Sequence, residues 1–165
     1  MFNINDIVFV GTKGICKIEN ITKNAYTGCD KTKEYYVLKP IDSTTNMVVF
    51  LPIDTPVKIR YLVSKTKANE SLKSFKSITF QTSLSEEDIL SLCNSILKEV
   101  DFEKRINVFN FLMNKKQKNN KKMFGFQDQK TTNTLLECIT QELAFVLNKS
   151  SFEIKEQILS NYETK

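Results

Sequence analysis

Residues 34–52 constrain the fold of this chain most. Two runs there, Tyr35-Tyr36-Val37-Leu38 and Met47-Val48-Val49-Phe50-Leu51, are built from β-branched, aromatic and other apolar side chains. Such residues suit a pleated, half-buried surface, so each run predicts a strand. Pro40 closes the first run and Pro52 the second, because proline has no N–H to give to a ladder. Asp42, Ser43 and Asn46 lie between them and can make local side-chain turns. The stretch therefore predicts two strands joined by a loop. Nearly every position in both runs is apolar, so either both faces are covered inside a small barrel or one of them meets a partner.

The flanking chain extends this pattern. Ile7–Val10 predicts a first strand and Gly14–Ile21 a second, joined by the turn Gly11-Thr12-Lys13-Gly14. That turn lacks the spacing and the Lys-Ser/Thr of a phosphate-binding loop, so it carries no nucleotide role. Asn24–Lys33, with Gly28, reads as a polar loop, and Ile59–Leu62 as a short closing strand. Five short strands with tight turns predict an SH3- or Tudor-like β-barrel over residues 1–66. Between Leu62 and Leu72 the hydrophobic period changes from strand-like to helix-like. Residues 67–84 read as a short helix, anchored by Leu72 and Phe75, and a linker.

Residues 85–165 predict an all-α bundle, which makes the class α+β. Ser85 with Asp88 approximates a capping box, and Glu86, Glu87 and Asp88 sit in the first turn, where acids offset the helix dipole. Helix-start chemistry explains these acids better than a paired-carboxylate site does. Ile89, Leu92, Cys93, Ile96, Leu97 and Val100 follow at helical spacing. Asp101 caps a next helix with the stripe Phe102, Ile106, Phe109, Leu112 and Met113. A further helix spans about Gln129 to Leu147. The last follows the capping box Ser150-x-x-Glu153. Four helices with short joins make a small bundle.

Composition narrows the function. The chain has 165 residues, 41% hydrophobic, and contains no histidine. The usual general base and triad partner are therefore missing, so a non-enzymatic role is expected. Cys16, Cys29, Cys93 and Cys138 are scattered without a Cys-x-x-Cys pair, so no metal site or cofactor is expected and the thiols read as free. No apolar run reaches the ~20 residues of a membrane span, and no signal peptide is read, so a cytosolic, membrane-free protein is expected. The net charge is +5, and Lys115, Lys116, Lys118, Lys121 and Lys122 sit together. A basic cluster of this kind permits phosphate contact.

Residues Phe2 to Phe75 resemble the RNA-polymerase-interacting module of the CarD/CdnL family, which transcription-repair coupling factors share. The resemblance lies in Phe2-Asn3-Ile4-Asn5-Asp6-Ile7-Val8-Phe9, Gly14-Ile15-Cys16-Lys17-Ile18-Glu19-Asn20-Ile21, Glu34-Tyr35-Tyr36-Val37-Leu38, Val48 to Asp54, and Arg60 with Leu62-Val63-Ser64. Two departures stand out. Asn5 and Phe9-Val10 replace the family's Gly before its Asp and the Tyr-Pro after it. Lys58-Ile59-Arg60 replaces Gly-hydrophobic-Arg. The second half resembles the family more softly, through the basic helix end, the loop near Met123 to Phe126, and Glu142-Leu143-Ala144. The short length fits the free-standing CarD/CdnL type rather than a coupling factor.

The resemblance implies that Met47, Val48, Val49, Phe50, Leu51 and Pro52 dock on the lobe of the RNA polymerase β subunit, by adding a strand to an exposed edge. Phe50 stands where family members often carry arginine, which makes the expected contact more apolar. Lys115, Lys116, Lys118, Lys121 and Lys122 are the expected DNA contacts, with Phe124 and Phe126 either anchoring their loop or stacking on bases. The family wedges a tryptophan into the minor groove at the upstream edge of the melted promoter. This chain has no tryptophan, and Phe80 lies nearest that position. The expected function is a bacterial transcription regulator that stabilises the open promoter complex, with no small-molecule substrate. Two alternatives stay open: a stand-alone Tudor/SH3-like nucleic-acid-binding module, and a protein adaptor without DNA contact.

Overall fold

Alternation along the first strands builds one apolar face. In the computed structural model, which describes residues 1–11, 13–41, 47–54, 59–78, 86–118 and 125–162, five strands form an antiparallel sheet. They are β1 (Ile7–Val10), β2 (Gly14–Thr22), β3 (Tyr35–Pro40), β4 (Val49–Pro52) and β5 (Ile59–Tyr61), in the order β4-β3-β2-β1-β5. Successive side chains of a strand face opposite ways. Val8, Val10, Cys16, Ile18, Tyr36, Leu38 and Leu51 thereby converge on one buried core. The mixed polarity of β2 has a local cause. A register shift between Ile18 and Asn20 leaves Glu19 as an extra residue, which is a β-bulge. The bulge resets the alternation, so Ile21 returns to the core side three residues after Ile18.

The sheet does not close into the expected barrel. Among the described residues, β4 pairs only with β3 and β5 only with β1, so both lie at edges. Closure needs tilted strands and a staggered register all round the sheet. Here the two end strands are short, four and three residues. The open core is covered instead by Phe2, Val49, Ile53 and Ile59, which pack against it. Phe2 is held there: its ring lies 4.9 Å from that of Tyr61 and 6.0 Å from that of Tyr36, and its N–H donates to the Tyr36 hydroxyl at 3.2 Å.

The chain divides into two compact units, Met1–Leu62 and Val63–Lys165. The second holds α1 (Lys65–Lys73), a 3₁₀ turn (Phe75–Ser77), α2 (Glu86–Ser95), α3 (Phe102–Lys118), α4 (Phe126–Leu147) and α5 (Ser151–Ser160). Ala68, Leu72 and Phe75 share its core with Ile96, Ile106, Phe109, Leu135, Ile139, Leu143, Ile154 and Ile158. Val63 N–H donates to the buried Glu142 carboxylate at 3.0 Å, which ties the start of this unit to α4.

Helix α2 ends at Ser95, short of its apolar stripe, and Arg105 of α3 holds the turn that follows. Its buried guanidinium donates to the carbonyls of Glu99 (2.6 and 2.8 Å) and Leu97 (3.3 Å). Buried carbonyls outside regular structure need such partners. Asp101 caps α3 by accepting from Lys104 N–H at 2.8 Å. Helix α4 begins at Phe126, about a turn before the expected Gln129, and ends at Asn148 in a left-handed conformation. Both halves of the Ser150–Glu153 capping box are formed at α5. The expected cap Ser85 lies outside the described residues.

Candidate functional site

Strand β4 splits the expected docking residues between two faces. Leu38 opposes Val49, Val37 opposes Phe50, Tyr36 opposes Leu51 and Tyr35 opposes Pro52. Leu51 is buried in the sheet core and Val49 packs against it. Phe50 points to the opposite face and is 37% exposed. Met47 and Val48 precede the strand and are also exposed. The six residues are therefore not one surface: Leu51 and Val49 hold the fold, while Met47, Val48 and Phe50 face outward.

Main-chain hydrogen bonding identifies what the edge offers. Ile53 N–H donates to the Glu34 carbonyl at 2.9 Å. In an antiparallel ladder, hydrogen-bonded and non-hydrogen-bonded pairs alternate. Leu51 with Tyr36, and Val49 with Leu38, thus bond inward. Phe50 turns its N–H and C=O to the free edge, and Pro52 turns its C=O there. Proline costs nothing at that position, since no ladder donor is required of it.

The loop between β2 and β3 supplies a residue that sequence reasoning missed. Tyr26 is half exposed, and its ring centroid lies 5.5 Å from that of Phe50 and 6.0 Å from that of Tyr35. Cys29 N–H donates to the Tyr26 carbonyl at 3.2 Å, with Gly28 at φ +90°. That is the geometry of a type II turn, which needs positive φ at its third residue. Asp30 N–H donates to the Tyr35 hydroxyl at 3.2 Å, pinning the loop to β3. Burial pushes the Tyr35 phenol above its usual pKa. The Tyr-x-Gly spacing inside a polar loop was the available signal.

The basic cluster is not uniform. Lys115 Nζ lies 2.7 Å from Asp128 Oδ2, and the two side chains are only 20% and 16% exposed. This ion pair joins α3 to α4. Lys116 is exposed on α3. Lys118 closes α3, and its side chain, with Lys121, Lys122, Phe124 and Phe80, lies outside the described residues. Phe126 is exposed at the start of α4.

Cys16, Cys93 and Cys138 are poorly disposed to ionise. Burial pushes Cys16 and Cys93 up to about 11, and raises Cys138 as well. Among the described residues no group of three or more His, Cys, Asp or Glu side chains could hold a metal ion. Among them, too, no helix is long and apolar enough to cross a membrane.

Comparison with known proteins bears on the first unit. Residues 2–63 match the family model of the CarD-like/TRCF RID domain. The match takes in all five strands, including the β4 edge and the Tyr26 loop. It makes this unit a CarD-like RNA-polymerase-interacting module, of the kind shared with transcription-repair coupling factors. No curated protein matches the chain.

Proposed function

We propose that this protein is a non-enzymatic bacterial transcription regulator that docks on the RNA polymerase β subunit through the free edge of β4 and stabilises the open promoter complex. The observation that carries the reading is an unpaired, apolar edge strand inside a CarD-like/TRCF RID domain. An extended segment of the β lobe adds to β4, main-chain hydrogen bonds supply affinity, and outward side chains supply specificity. The helical unit then touches promoter DNA near the upstream edge of the bubble. The regulator shifts a pre-existing closed-to-open equilibrium by as much as its affinities for the two states differ. It works in the cytoplasm and needs no cofactor or small-molecule substrate.

The basic stretch is the proposed DNA contact, with Lys116, Lys118, Lys121 and Lys122 as phosphate ligands and Phe80 as the wedge. A wedge acts through base unstacking, whereas lysines act by displacing condensed counterions. Lys115 favours a second reading, in which the helical unit is a protein adaptor. It is held by Asp128 and so acts first as a structural cation.

Open-complex lifetime on a linear promoter separates the two readings. Charge reversal of Lys121 and Lys122 shortens it and leaves binding to the isolated β lobe unchanged under the DNA-contacting reading. Phe80→Ala shortens it further with little change in salt dependence. Wild-type lifetimes in both variants favour the adaptor.

A further inference from the structure

We propose that Tyr26 and Phe50 act as one aromatic recognition element that selects an aliphatic or aromatic side chain on the strand added to β4. The inference rests on the polymerase-docking reading and specifies its chemistry.

Its first support is the edge itself. Only Phe50 presents both N–H and C=O to the free edge within β4, since Pro52 has no N–H to give. An added strand therefore centres its hydrogen bonds on Phe50. The partner residue directly across from Phe50 places its side chain on the same face, with Cβ atoms about 5 Å apart. On that face Phe50 meets Tyr26, ring against ring at 5.5 Å. The incoming side chain therefore lands on both rings.

The second support is charge. Lys33 and Asp54, at the ends of β3 and β4 nearest Pro52, are paired at 2.9 Å and offset each other. An acidic partner side chain over Phe50 would lose hydration against two aromatic rings, with Lys33 already paired to Asp54, which is unfavourable. An apolar one gains from burial against two rings.

The third support is preorganisation. The turn at Gly28, the Asp30–Tyr35 hydrogen bond and the edge contact of Tyr26 on Tyr35 hold the Tyr26 ring in place without a partner. A half-exposed tyrosine held beside a free strand edge has the character of an interface hot spot, because little freedom remains to be lost on binding.

The test is affinity of the full-length chain for the recombinant β lobe at about 50 and 500 mM salt. The variants are Tyr26→Ala, Tyr26→Phe, Phe50→Ala and the Tyr26→Ala/Phe50→Ala double. Wild type should bind with affinity changed by less than about threefold between the two salts, as an uncharged contact is little screened. Tyr26→Ala should weaken binding about tenfold or more and Tyr26→Phe should match wild type, because the ring and not the hydroxyl is used. The double variant should bind little worse than the weaker single one, since contacting residues are not additive. Wild-type affinity in Tyr26→Ala, or a tenfold loss with salt in wild type, overturns the element and leaves polymerase docking standing. No binding by wild type at either salt overturns docking and the element together.

Discussion

Asn5 shows how one residue carries a conformational demand. Its φ is 75°, and its N–H donates to the Ile18 carbonyl at 2.7 Å. A CarD-type module usually has glycine here, and asparagine is among the few side chains that visit this region readily. Asn5→Ala should therefore cost about 1 kcal/mol while Asn5→Gly stays near neutral, read by chemical denaturation. A reversed order would mean that the Asn5 side chain holds the turn.

Position 49 against position 50 is a sharper contrast. Val49 packs on the core and Phe50 faces out. Val49→Asp should destabilise the first unit by about 2 kcal/mol or more, since a carboxylate there loses water without gaining a partner. Phe50→Asp should leave the melting temperature nearly unchanged and abolish polymerase binding. Lys115→Ala strips Asp128 of its cation in a mostly buried setting and should cost about 1–2 kcal/mol of the helical unit. Loss of DNA contact with no loss of stability would overturn that structural role.

At the scale of elements, the capping box of α5 makes a pH prediction. The Glu153 carboxyl is held below its ordinary value of 4.5, first by the Ser150 N–H and then by the Ser150 hydroxyl. A carboxyl whose folded pKa is depressed contributes stability above its unfolded pKa, and that contribution is lost as pH falls through the folded value. Stability should thus drop as pH falls below about 4.5, and less steeply in Glu153→Gln; equal slopes would contradict the box.

The elements also show what was legible. Runs such as Tyr35–Leu38 and the caps Asp101 and Ser150 depend on neighbours a few residues away, so periodicity and capping chemistry reveal them. Closure of the sheet depends on whether β4 and β5 meet, which no local pattern encodes. The turn after α2 is held by Arg105, a residue of the next helix. The β4 edge was readable as an apolar run, but its split into Val49 and Leu51 inward and Phe50 outward needed the register. Tyr26 joins Phe50 only through a turn and a strand pairing, so it was hidden in a loop that reads as polar. The lysines were plain to see, whereas the engagement of Lys115 by Asp128 came only with the packing of α3 on α4.

At the scale of the whole molecule, two units with separate cores leave room for the two proposed roles, docking by the sheet and promoter contact by the helices. If β4 is the edge to which polymerase adds a strand, as proposed, amide hydrogen exchange reads it directly. In the free chain Phe50 N–H faces the open edge, while Leu51 N–H faces Tyr36 of β3. Exchange should be measured by NMR on the full chain, alone and saturated with the β lobe. Phe50 N–H should slow about tenfold or more on binding while Leu51 N–H, bonded in both states, changes little. Unchanged exchange at Phe50 in the saturated complex, or new protection confined to the β5 edge at Tyr61, would contradict the proposal.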